Sequence, residues 1–240
     1  MTVCVTRTYV VAVTIFRLVG AGLAVTILAT AIAAMATLSA QERVPHGRLF
    51  PPEDLGQLEG PDRAAWQKPD LVMDALGIAD GARVADLGAG GGWFTVRLAE
   101  RVGPNGRVYA EDIQPQMTAS IERRVGREGL TNVSVVLGSP LDPELPTGLD
   151  AVLIVETYPE MTDPVTLLRH VAAALKPNGR VGIVGFSLEG GGPGPPLDER
   201  VEPEVVIAEA TQAGLRLLSR ETFLRYQYLL VFVPSDANNL

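Results

Sequence analysis

The chain has 240 residues, 47% of them hydrophobic, and a formal net charge of −8. Such an acidic body is a poor partner for nucleic acid, whose affinity rests on neutralising phosphates, and for an anionic membrane surface. The single cysteine, Cys4, and two histidines, His46 and His170, leave everything after the first segment without disulfides, cysteine-ligated zinc or a paired-histidine metal site.

Residues 1–40 stand apart. Arg7 and Arg17 flank a first apolar stretch, and residues 18–40 then run without a charge. The ending Ala36-Thr37-Leu38-Ser39-Ala40 fits a signal-peptidase site, while the length of the run approaches the ~20 residues that cross a bilayer. The segment reads as a signal peptide or an N-terminal membrane anchor, with the arginines on the cytoplasmic side. The rest is then exported to the periplasm or tethered to the inner membrane, and any membrane association is confined to this segment. Initiation at Met35 would instead leave a cytoplasmic protein.

Residues 41–61 are polar and carry four prolines, and read as a linker or arm. Asp62 follows Pro61 as the cap of a short helix, and Pro69 opens another whose apolar face is Leu71, Val72, Ala75 and Leu76. From there to residue 234 strands and helices alternate. Residues 83–87, 107–111, 132–137, 149–155 and 180–186 form strands; 93–102, 114–128 and 164–175 form helices. The fourth strand is apolar apart from Asp150, as in a strand buried on both faces. Residues 187–198 form a Gly- and Pro-rich loop, either a functional lid or a surface connection. A helix at 203–213 precedes strands at 215–221 and 226–233, too close together for a crossover helix and therefore antiparallel. Residues 235–240 are a polar tail. The fold class predicted is α/β: a doubly wound, seven-stranded, mostly parallel sheet with the last strand antiparallel.

The most informative stretch is Val84 to Phe94. An apolar run contains Asp86 near its end, and Gly88, Gly90 and Gly92 follow at alternate positions before a helix begins. This is a strand, tight turn and helix of the kind that holds a nucleotide. A dinucleotide fingerprint would need glycine at 93, where Trp93 stands. A carboxylate at the strand end repels a pyrophosphate and suits a cationic ligand. S-adenosylmethionine, with its ammonium and sulfonium, is such a ligand. The alternative is a plain connection in which Asp86 caps the helix.

Three stations in this order resemble the class I S-adenosylmethionine-dependent methyltransferase family over about residues 60–233. Asp86-Leu87-Gly88-Ala89-Gly90-Gly91-Gly92 is similar to its first motif. Asp112 is similar to the acid that holds the ribose hydroxyls, and Leu175-Lys176-Pro177-Asn178-Gly179-Arg180 to the turn before the fifth strand. Trp66-Gln67-Lys68-Pro69, Asp112-Ile113-Gln114-Pro115 and residues 226–232 resemble an exported bacterial subgroup. The resemblance implies S-adenosyl-L-methionine as cofactor, held by Asp86, Gly88, Ala89, Gly90, Gly92, Asp112, Ile113, Gly138, Ser139 and Glu156. It departs at Gly138-Ser139-Pro140, where the family often has an aspartate near the adenine amine, and at Glu156-Thr157-Tyr158-Pro159-Glu160, where the subgroup tends to show histidines.

Glu156 and Tyr158 are the candidate catalytic residues, with cofactor positioning and pocket lining as their alternative roles. Three readings follow. The first is a methyltransferase acting on a small molecule, the second a cofactor-binding protein without catalysis, the third a nicotinamide-dependent oxidoreductase. No nucleic-acid partner and no metal are expected.

Overall fold

Each run read as a strand between residues 83 and 234 becomes a strand of one seven-stranded sheet in a computed structural model that describes residues 48–189 and 191–235. The expectations for residues 1–40 and for nearly all of the tail fall outside the described residues. The strands are β1 (Arg83–Leu87), β2 (Arg107–Asp112), β3 (Val133–Leu137), β4 (Leu149–Val155), β5 (Leu175–Phe186), β6 (Leu215–Glu221) and β7 (Gln227–Pro234). Their order across the sheet is β3-β2-β1-β4-β5-β7-β6. β1 to β5 pair in parallel, and β7 runs antiparallel to both β5 and β6. The predicted doubly wound, mostly parallel architecture is the one observed.

Helices α1 (Arg63–Gln67), α2 (Pro69–Ala75), α3 (Trp93–Val102), α4 (Pro115–Arg127), α5 (Pro164–Ala174) and α6 (Pro203–Gln212) connect and cover the strands. α2, α4, α5 and α6 each begin on proline, whose fixed φ suits the first helical position and whose missing N–H costs nothing there. Asp163 caps α5, accepting from the Thr166 backbone amide at 3.1 Å and its hydroxyl at 2.7 Å.

Two apolar layers sandwich the sheet. Val84, Val108 and Leu153 face Leu98 of α3 on one side; Ala85, Leu87 and Ile154 face Leu168 and Val171 of α5 on the other. The central strand β4 buries Val152, Leu153 and Ile154 completely, each contributing about 1.5–3 kcal/mol of transfer free energy.

Two local expectations change. The arm is not simply extended: Pro52–Glu59 forms a 3₁₀ helix. β5 starts at Leu175, which pairs with Leu149 before the register shifts, so Lys176 to Gly179 is a bulge within the strand and not a turn before it.

The order of the strands reverses between β1 and β4. In an open α/β sheet that point, beyond the carboxyl ends of the strands, is where a crevice forms. The Gly turn after β1 and residues 156–160 after β4 border it.

Candidate active site

The Gly turn is fixed from two sides. Gly88 holds φ 69°, a left-handed conformation, and a Cβ there would overlap the Thr157 side chain. The Thr157 hydroxyl stands 3.3 Å from the carbonyls of both Leu87 and Gly88, tying the end of β4 to the turn. On the other side the end of β2 takes up the turn's amides. Ala89 N–H donates to the Glu111 carbonyl (2.8 Å), Gly88 N–H to Glu111 Oε2 (3.2 Å) and Gly90 N–H to Asp112 Oδ2 (3.0 Å). Gly92 N–H closes on the Ala89 carbonyl at 2.9 Å. A phosphate cradle needs such N–H groups directed at the ligand, and here four of them are spent within the protein.

Three carboxyls lie under this turn. Asp86 is 3% exposed and its Oδ2 accepts from the Thr95 hydroxyl at 2.6 Å. It also accepts the Thr95 backbone amide, so it braces the first turn of α3 as a cap does; burial pushes its carboxyl up to about 6, opposed by Thr95 and by the Arg63 guanidinium. Glu111 is 2% exposed, and burial pushes it up to about 8. Asp112 is also raised by burial. Its Oδ1 takes the Gln114 amide at 2.9 Å and its Oδ2 the Gly90 amide. The Ile113 amide bonds Asp112 as well, so of a carboxylate's roughly four acceptor positions about one is left for a ribose hydroxyl. Ile113 follows it, half-buried.

The third-strand residues are placed differently from expectation. Gly138 is pressed against the Glu111 carboxyl, where a Cβ would collide, so it is small to make room for a protein side chain. Ser139 is exposed and closes a tight turn with Asp142, its hydroxyl 3.1 Å from the Asp142 carbonyl and amide. Tyr158 is not placed to act as a base: it is 1% exposed within the core and its hydroxyl donates to Glu209 of α6 at 2.6 Å. His170 is exposed on α5, with Nδ1 3.4 Å from Asp142, at a cleft lined also by Tyr109, Ser134 and Val136 that does not include the Gly turn.

Glu156 ends β4 in a left-handed conformation, φ 60°, a strain of roughly 1–3 kcal/mol for a side-chain-bearing residue that persists only where its surroundings impose it. Its Oε1 accepts from Gln227 Nε2 at 2.6 Å. Gln227 Oε1 accepts from Gln67 Nε2 at 3.2 Å, and Gln67 Oε1 from Arg63 Nε at 2.6 Å. Burial pushes Glu156 up to about 8, against the bonds from Gln227 and the Phe186 amide and the charges of Arg63 and Arg200.

The arm is the part that sequence reasoning missed. Phe50 bridges the crevice: its N–H donates to Glu160 Oε2 (3.1 Å) after β4, and its carbonyl accepts from Gln114 (3.1 Å) after β2. Leu55 and Leu58 lie over Gly90 and Gly91. Glu59 pairs with Arg124 of α4. Arg63 stacks on Trp93, 4.3 Å from the ring, with Arg97 at 3.5 Å from the same ring. The loop after β5 is also organised: Gly192 and Gly194 pack directly on Tyr226 and Phe186, and Arg200 donates to the carbonyls of Pro195 (2.9 Å) and Ser187 (2.8 Å).

Residues 84–179 match the family profile described as a methyltransferase domain. The crystal structure of an S-adenosylmethionine-dependent methyltransferase from Aquifex aeolicus superposes with a TM-score of 0.74 at 27% identity, over 78% of this chain and all of that one. The fold is the Rossmann-like methyltransferase fold. Among curated proteins it is 33% identical to nocamycin O-methyltransferase of Saccharothrix syringae, over 48% of this chain and 41% of that one. It is also 33% identical to the ubiquinone/menaquinone biosynthesis C-methyltransferase of Pasteurella multocida, over 51% of this chain and 46% of that one. It thus spans less than half the length of these two relatives.

S-adenosylmethionine is the cofactor of this fold, and the residues fit it. Asp112 retains acceptor capacity for a ribose hydroxyl. Asp86 and Arg63 supply charges of opposite sign beside the Gly turn, matching a ligand end that carries both an ammonium and a carboxylate. Leu55 and Leu58 provide an apolar cover.

Proposed function

We propose that the protein transfers a methyl group from S-adenosylmethionine to a small-molecule acceptor. The observation that carries this is the Gly turn whose amides are bound by the two carboxyls at the end of β2: it leaves no nest for a pyrophosphate but keeps acceptor capacity on Asp112. This disfavours the nicotinamide reading. When bound, S-adenosylmethionine supplies a methyl group already activated by its sulfonium charge. The chain then has chiefly to orient the acceptor and exclude water. Phe50, Leu55 and Leu58 of the arm cover the crevice on one side. Glu156, which follows β4, borders it on the other.

A small-molecule acceptor is supported by the names of the two curated relatives, and by a net charge of −8 that disfavours nucleic acid. For an acidic hydroxyl acceptor Glu156 is the candidate base, since burial holds its proton affinity near neutral pH. In our reading residues 1–40 export the protein or anchor it to the inner membrane. Export would favour a second reading, cofactor binding without catalysis, because the cofactor is made in the cytoplasm.

Calorimetry of the full chain with S-adenosylhomocysteine, followed by transfer of labelled methyl to the small-molecule fraction of an extract, tests the proposal. Saturable binding with label in that fraction is expected. Label in protein or nucleic acid alone would overturn the acceptor class, and binding with no transfer to any fraction would favour the second reading.

A further inference from the structure

We infer that Arg63 is the residue that takes the carboxylate of the cofactor's amino-acid end, so that α1 completes a site that the matched residues 84–179 leave unfinished. This rests on the cofactor assignment proposed above.

Arg63 is a partly buried cation with neutral partners. Its Nε donates to Gln67 Oε1 and its Nη1 to the Leu58 carbonyl, both at 2.6 Å. Among the described residues, no carboxylate forms an ion pair with it. Burial lowers its pKa to about 10 in spite of the fields of Asp86 and Glu156. A charge removed from water is costly unless an opposite charge or a full set of hydrogen bonds compensates it. Holding this guanidinium short of a carboxylate contact is the arrangement expected of a group that receives an anion.

The position is fixed. Stacking on Trp93 sets the guanidinium beside the residue that follows Gly92, and hence beside the Gly turn. The other arginines nearby are committed. Arg97 donates to the Trp93 carbonyl at 2.8 Å, Arg124 pairs with Glu59, and Arg200 is bonded to the Ser187 and Pro195 carbonyls. Nη2 of Arg63 has no hydrogen bond among the described residues and remains to donate. An α-amino-acid group carries one ammonium and one carboxylate. Asp86 provides for the first, Arg63 for the second, and a guanidinium binds a carboxylate through short charge-assisted bonds.

The test compares ligands that differ only at this end. Full-length wild type, Arg63→Gln and Arg63→Lys are titrated calorimetrically with S-adenosylmethionine, its decarboxylated analogue and 5′-methylthioadenosine. For Arg63→Gln we expect about a 10–100-fold loss of affinity for S-adenosylmethionine, the range for a charge-assisted bond. The decarboxylated analogue should bind unchanged or tighter, because a like charge has gone, and 5′-methylthioadenosine should bind within about two-fold of wild type, since neither ligand makes the lost bond. Should Arg63→Gln not fold, Arg63→Lys must still lose affinity for the carboxylated ligand alone. Equal losses for all ligands would mean that Arg63 merely holds α1 on Trp93, and no loss for any would remove it from the site; either overturns the inference. A wild-type chain that binds none of the three would instead overturn the cofactor assignment and this inference with it.

Discussion

Glu111→Gln separates the charge of a buried carboxyl from its shape. In the wild type, burial raises Glu111 from 4.5 to about 8. The folded state therefore keeps a proton that the unfolded chain releases near pH 4.5. The stability this gives is whole below pH 4.5 and is lost as pH rises through 8. At 1.36 kcal/mol per pH unit, the interval between those two values amounts to roughly 5 kcal/mol as an upper bound between pH 4 and 9. Glutamine cannot ionise, and its side-chain oxygen can still accept from Gly88 N–H. We expect Glu111→Gln to lie within about 1 kcal/mol of wild type at pH 5, the size of one rearranged hydrogen bond. At pH 9 it should be more stable by about 2–5 kcal/mol. Urea unfolding at pH 5, 7 and 9 measures the difference directly, and comparison of the two proteins cancels Glu156 and Glu160, the raised carboxyls that do not act on Glu111. Parallel pH profiles would refute the reasoning, because Glu111 would then ionise as an exposed glutamate does.

Asp112→Ala should weaken S-adenosylhomocysteine binding about 10–100-fold by calorimetry, from the loss of a charged acceptor for a ribose hydroxyl; unchanged affinity would move the ribose elsewhere. Gly88→Ala should lose about 2–5 kcal/mol in chemical unfolding, from left-handed strain and overlap with Thr157. Adding Thr157→Gly should recover only the overlap part, and full recovery would mean that φ 69° carries no strain. Tyr158→Phe should leave cofactor affinity within about two-fold while costing about 1–2 kcal/mol of stability through the lost bond to Glu209. A large fall in affinity with unchanged stability would return Tyr158 to the crevice.

The fold was legible wherever the pattern is local. β4 announces itself by being apolar at every buried position on both faces, and the β6–β7 hairpin by a link too short for a crossover. The Gly turn was legible because a left-handed backbone tied to a neighbouring strand leaves glycine as its signature. Much of the site has no local signal. Glu156 reaches Gln227 across 71 residues, and Gln67 reaches Gln227 across 160, so no spacing rule connects them. Glu111 was overshadowed by Asp112, although strand alternation sends the two to opposite faces, and both return to bind amides of the same turn. Ser139 offers a hydroxyl by residue type, and the nearby turn consumes it. The arm reads as linker by composition, since its prolines favour an irregular path, but Leu55, Leu58 and the pairing of Glu59 with Arg124 fix it over the Gly turn. Asp86 shows how a single residue supports two readings at once: it braces Thr95 in α3 and holds a negative charge near Arg63.

The central claim is that this crevice takes S-adenosylmethionine. Calorimetric titration of the full chain with S-adenosylmethionine, S-adenosylhomocysteine and NAD addresses it directly. The account predicts saturable one-to-one binding of the first two, lost in Asp86→Ala, and no heat with NAD. Binding of NAD alone would contradict it.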